Sequence, residues 1–137
     1  MHGSDGTVPE RFQESKMQNP IHWFEIPTTD LDRAVAFYQE VFAIELHRES
    51  SGPAAMAIFP YAEPQQSGAL VKMDTLLPGM NGPLIYLDGG ADLNHALNRA
   101  RALGAEVLLD KLAIGEHGFI AVFRDCEGNR IGLHSLQ

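Results

Sequence analysis

The sequence predicts an α+β fold: two tandem βαβββ modules whose strands form a curled mixed sheet around a cleft. Three observations predict it. The phrase Asp30-Leu31-x-x-Ala34-Val35 returns as Asp92-Leu93-x-x-Ala96-Leu97 at a constant offset of 62. One short apolar segment precedes each phrase, and three follow it. The whole order of strand, helix and three strands recurs, which is the mark of an internal duplication.

Taken in order, residues 1–18 are polar, lack an apolar period and read as a flexible leader. The domain is 19–137, with module one at 19–76 and module two at 83–137. Ile21–Pro27 has strand character. Leu31, Ala34, Val35, Tyr38, Val41 and Phe42 then form the stripe of an amphipathic helix. Thr29, three residues before Asp32, supplies an N-terminal capping pattern. Strands are expected at 44–49, 55–61 and 68–73. Module two opens with the strand Leu84–Asp88. Its helix carries Leu93, Ala96, Leu97, Ala100 and Leu103 at helical spacing and stops at Gly104. Strands at 106–109, 118–124 and 129–135 complete it. Gly52-Pro53, Glu63-Pro64 and Glu127-Gly128-Asn129 supply the turn chemistry between strands.

Composition narrows the function. With 45% hydrophobic residues and 137 residues in all, the chain makes one ordinary globular domain. A net charge of −8, with ten scattered Lys and Arg, argues against nucleic-acid binding. No stretch approaches the roughly 20 apolar residues of a membrane span. The single cysteine, Cys126, rules out an intramolecular disulfide and fits a reducing, cytoplasmic setting. No phosphate loop, nucleophile elbow or dinucleotide fingerprint is present.

The repeat, "DLDRAVAFYQEVF" near its start and "FRDCEGNRIGLHS" near its end together resemble the vicinal oxygen chelate superfamily. That group holds glyoxalase I, the bleomycin-resistance proteins and the extradiol dioxygenases. The resemblance covers about residues 19–137. Its most specific parts are the Phe37-Tyr38 pair and the Asp-x-x-Gly-Asn motif from Asp125 to Asn129. "WFEIPTTDLDRAVAFY", "GALVKMD" and "GNRIGLHS" are closest to a small bacterial branch labelled only as glyoxalase-related. The resemblance implies a homodimer and, in metal-bearing members, four side chains from four strands converging on one divalent ion.

Those ligand positions can be counted out here. The first lies seven residues before Asp30 and is Trp23; His22, one residue earlier, faces the other side of a regular strand. The last lies seven residues after Asp125 and is Gly132. The start of module two offers Leu84 or Ile85, depending on a one-residue gap at Gly89-Gly90-Ala91. The fourth position falls within 68–73, where Lys72 is the only charged group. A divalent ion wants at least three His, Cys or carboxylate donors. The sequence therefore predicts no metal and no other cofactor.

Strand parity places Trp23, Glu25, Gly132 and His134 on the cleft side, and pairing Leu70 with Gly132 adds Lys72. The expected function is the binding of a small organic molecule in a metal-free cleft. Trp23, Lys72, His117 and Gly132 would contact the ligand, with His117 at the rim. The alternative is a lyase or isomerase using Glu25 and His134 for acid–base chemistry, or a metal-dependent one should a bulge swing His22 inward. A salt bridge to Lys72 is the structural explanation of Glu25. Core packing explains Trp23 equally simply.

Overall fold

A computed structural model of the chain describes residues 19–63, 65 and 67–137. The predicted leader lies outside the described residues. The order is β1 (Trp23–Pro27), α1 (Leu31–Phe42), β2 (His47–Ser51), β3 (Ala54–Ile58) and β4 (Ser67–Lys72), then β5 (Ile85–Asp88), α2 (Asn94–Ala102), β6 (Glu106–Ala113), β7 (Phe119–Arg124) and β8 (Arg130–Ser135). A short 3-10 turn, Gly115–His117, joins β6 to β7. The duplicated βαβββ order is as the sequence predicts.

The strands form two four-stranded sheets rather than one. Their orders are β1-β4-β3-β2 and β5-β8-β7-β6, with the first two strands parallel and the rest antiparallel in each. Each helix covers one face of its own sheet, and α1 packs on α2. The predicted apolar stripes are what they bury. Leu31, Ala34, Val35, Tyr38 and Val41 of α1 meet Ile26, Ala57 and Leu70, while Leu93, Ala96, Leu97 and Ala100 meet Leu87, Ala121, Phe123, Ile131 and Leu133 in one continuous core. Burying such a side chain contributes about 2 kcal/mol, so the two stripes hold the domain together.

Helix boundaries correct two expectations. Asp30, not Thr29, caps α1: its side chain accepts the Arg33 N–H at 3.1 Å. At the other end Ala43 takes a left-handed conformation (φ 54°). The N–H groups of Ile44 and Leu46 then bond to the Gln39 carbonyl and its side-chain oxygen. Those bonds hold 44–46 against the helix end, so β2 starts at His47 and not at Ile44.

Modules one and two are joined where the Asp-x-x-Gly-Asn turn between β7 and β8 meets the start of α1. Asp125 accepts from the backbone of Glu127 and Asn129, from the Asn129 amide and from the Tyr38 hydroxyl at 2.5 Å. Asn129 also donates to the Pro27 carbonyl at 2.8 Å. Glu127 accepts from the N–H of Thr29 and of Asp30, from the Thr29 hydroxyl and from Arg33. The two most specific segments of the sequence therefore meet each other, in a structural role.

Candidate functional site

The faces turned away from the helices carry most of the predicted site. Ile26 and Leu70 point into the core, so their strand neighbours Trp23, Glu25 and Ala69 point the other way. In module two Leu87 and Leu133 are core residues, which leaves Tyr86, Gly132 and His134 on the far face. Trp23, Glu25, Gly132 and His134 thus all stand on the faces turned away from the helices.

Trp23 is 43% exposed, and its indole N–H donates to a Glu25 carboxylate oxygen at 3.2 Å. That bond, rather than an ion pair with Lys72, is what engages Glu25 among the described residues. His134 is half-buried, and its Nε2 lies 2.6 Å from the His117 carbonyl oxygen. His117 itself is an exposed residue of the 3-10 turn. The structure thus brings His134 and His117 together through the backbone. Glu25 stands on the other module, and no hydrogen bond links it to His134.

Two expectations about the far faces fail. Lys72 pairs opposite Ala55 and shares the parity of Leu70, so it lies on the helix side of its sheet, beside Thr29, Asp30 and Arg48. The reason is register. Thr28 N–H bonds the Val71 carbonyl as Gly89 N–H bonds the His134 carbonyl, so Val71 and not Lys72 is the counterpart of His134. Gly132, in turn, does not floor an empty space. The ring of Tyr86 lies across it, and an added Cβ there would sit 2.4 Å from that ring. Tyr86, 44% exposed, is the residue that sequence reasoning missed. The one-residue gap at Gly89–Ala91 hid its parity.

The same register completes the metal positions. Glu25 faces Ala69 as Tyr86 faces Gly132, so Leu84 matches Trp23 and Ala69 matches Gly132. Trp23, Ala69, Leu84 and Gly132 offer no donor among them, and the donor chemistry does not fit a divalent ion. His22 precedes β1 and is exposed. Among the described residues no three His, Cys, Asp or Glu side chains form a group that could hold a metal.

A second feature lies between the modules. It is a cavity of about 460 Å³, walled by Phe24, Phe42 and Phe59 from module one and by Tyr86, Asp88, Ala96 and Arg99 from module two. Its volume is within the ordinary range of small-molecule sites. The lone thiol is elsewhere: burial first, then the neighbouring Asp125 carboxylate, pushes Cys126 up to about 11, which does not suit a nucleophile.

Comparison with known proteins agrees with this architecture. The model of the glyoxalase-like domain matches residues 23–134, and the chain belongs to that family. No curated protein sequence matches the chain. Among solved structures it is similar to TnmS3, an antibiotic binding protein from Streptomyces sp. CB03234. Identity is 25%, with 88% of this chain and 98% of that one covered and a TM-score of 0.66. A glyoxalase/bleomycin resistance protein from the same organism shares 26% identity over 82% of this chain and 97% of its own, at a TM-score of 0.65. The fosfomycin resistance protein FosX from Listeria monocytogenes, at 20% identity, covers 88% and 92% with a TM-score of 0.61 and shares the fold.

Proposed function

We propose that this protein binds a small organic molecule with a planar apolar part against Trp23, without a metal. The observation that carries the reading is the Trp23–Glu25 pair: a large aromatic ring left two-fifths exposed, with its own N–H already held by a carboxylate. An exposed indole is a stacking surface, and a carboxylate beside it positions polar groups. Gly132 with its Tyr86 cover, His134 and His117 supply the module-two side of the same ligand. Two copies of the chain enclose it as a homodimer in the cytoplasm. The similarity to an antibiotic binding protein along almost its whole length supports this class of ligand. The net charge of −8 supports a small molecule over nucleic acid. No helix of the described residues is long and apolar enough to cross a membrane.

Trp23 is the only tryptophan, so intrinsic fluorescence reports on this surface directly. Titration with a panel of antibiotics, planar polycyclic compounds included, is expected to give saturable quenching by at least one compound at one equivalent per chain. Calorimetry with Trp23→Ala is expected to show affinity for that compound reduced at least about tenfold, the scale of losing an aromatic anchor. A panel without saturable quenching or heat sinks the reading. The alternative, an acid–base enzyme using Glu25 and His134, is favoured by the oriented His134 ring. It requires that the bound compound be chemically altered and that Glu25→Gln stop the conversion. Unaltered ligand and near-normal affinity in that variant identify a binder.

A further inference from the structure

We propose that the cavity between the modules is a second ligand site, separate from the Trp23 surface, and that it takes an aromatic monoanion. A duplicated chain builds the seam between its halves twice, and here the two versions differ. On one side Phe37 and Tyr38 project from α1 toward the tail turn of module two. The Phe37 ring lies 6.1 Å from that of Phe123, and the Tyr38 hydroxyl reaches Asp125. The offset of 62 puts Arg99 and Ala100 at the matching places on α2. A ring and a hydroxyl are replaced by a methyl group and a cation, and the seam on that side encloses about 460 Å³.

The cation is held at the wall. Arg99 Nε donates to the Val41 carbonyl at 2.8 Å, at the end of a helix whose last turn has no basic residue of its own. Among the described residues its terminal nitrogens have no hydrogen-bond or ion-pair partner. A half-buried guanidinium with its planar fork unused favours a flat carboxylate or sulfonate, because desolvated charge is costly until paired. Phe24, Phe42 and Phe59 favour an aromatic body. Asp88 also lines the space, with one oxygen taken by the Gly90 N–H at 2.8 Å. A second negative charge on the ligand would be repelled by it. The chemistry selects one charge on a fused or linked ring system.

Two probes test this on the full chain: 8-anilinonaphthalene-1-sulfonate, and its uncharged analogue N-phenyl-1-naphthylamine. Both are expected to bind at one equivalent. Arg99→Gln is expected to weaken the sulfonate about tenfold or more, the scale of a charge-assisted hydrogen bond, and to change the neutral probe less than about twofold. Asp88→Asn keeps the oxygen that accepts Gly90 N–H while removing the charge. It is expected to tighten the sulfonate by about threefold, through relief of like-charge repulsion. These opposite signs separate recognition from mere loss of a helix cap, which would lower stability and leave the ratio of the two affinities unchanged. An unchanged ratio in both variants overturns the proposal, as does failure of both probes to bind. Loss of the sulfonate in Trp23→Ala but not in Arg99→Gln overturns it too, by assigning the anion to the sheet face. Tyr86 borders both sites, but Trp23, Glu25 and His134 line no part of the cavity, so failure of the Arg99 and Asp88 variants leaves the Trp23 reading untouched.

Discussion

At the scale of single residues, Glu127 is a charge that ties the tail turn of module two to the start of α1. Its side chain is 1% exposed and accepts four hydrogen bonds, one of them from the Arg33 guanidinium at 3.0 Å. Burial alone would raise its pKa. The Thr29 and Asp30 N–H groups, the Thr29 hydroxyl and Arg33 outweigh that and hold it below the usual glutamate range. A depressed folded value means that the unfolded chain takes up the proton first. The stabilisation is therefore complete above the unfolded pKa of about 4.3 and drains away as pH falls through the folded value. Glu127→Gln should cost about 2 kcal/mol at pH 7, because the amide sets N–H against N–H. Urea unfolding at pH 7 and again below pH 4 checks it: the gap between the proteins should narrow in acid, and a constant gap would refute the linkage. None of this was legible in the sequence, where Glu127 is one turn residue among three. Its partners lie 94 to 98 positions away.

Among the elements, the helices and most strands were readable because stripe and alternation are local patterns. Register was not, because it depends on pairing across a sheet. Two separate one-residue shifts decide it: Gly89-Gly90-Ala91 is one residue longer than Thr28-Thr29, which concealed Tyr86, and Val71 rather than Lys72 is the counterpart of His134, which takes Lys72 off the far face. Gly89 shows why that turn is built as it is. A Cβ there would lie 2.7 Å from Leu93 Cβ and 2.9 Å from the His134 carbonyl oxygen. Neither can retreat, since one begins α2 and the other accepts Gly89 N–H at 2.7 Å. Gly89→Ala should therefore cost about 2 kcal/mol, within the usual range for overpacking, and lower Tm by several degrees. A Tm equal to that of the parent would show that β5 and α2 can separate freely.

In the whole molecule, one duplicated plan yields two unlike seams. Sequence comparison could align Phe37-Tyr38 with Arg99-Ala100, yet only the packed chain shows that one pair closes its seam while the other borders a cavity. Hydrogen exchange should register the difference. The Thr29 and Asp30 amides, bonded to Glu127 at 2.8 and 2.9 Å, should have protection factors at least about tenfold above that of Ala91. Equal protection would mean that the tail turn closes its seam no better than the opposite side is closed.

The closed seam also bears on how the chain is made. Residues 125–129 are synthesised long after α1, and until they emerge its first amides, Arg33 and the Tyr38 hydroxyl lack the partners they have in the finished fold. Module one on a ribosome is thus a helix laid on a sheet with its leading end bare. Contacts spanning 87 to 102 positions then close last, at the loop-closure cost that slows folding of non-local topologies.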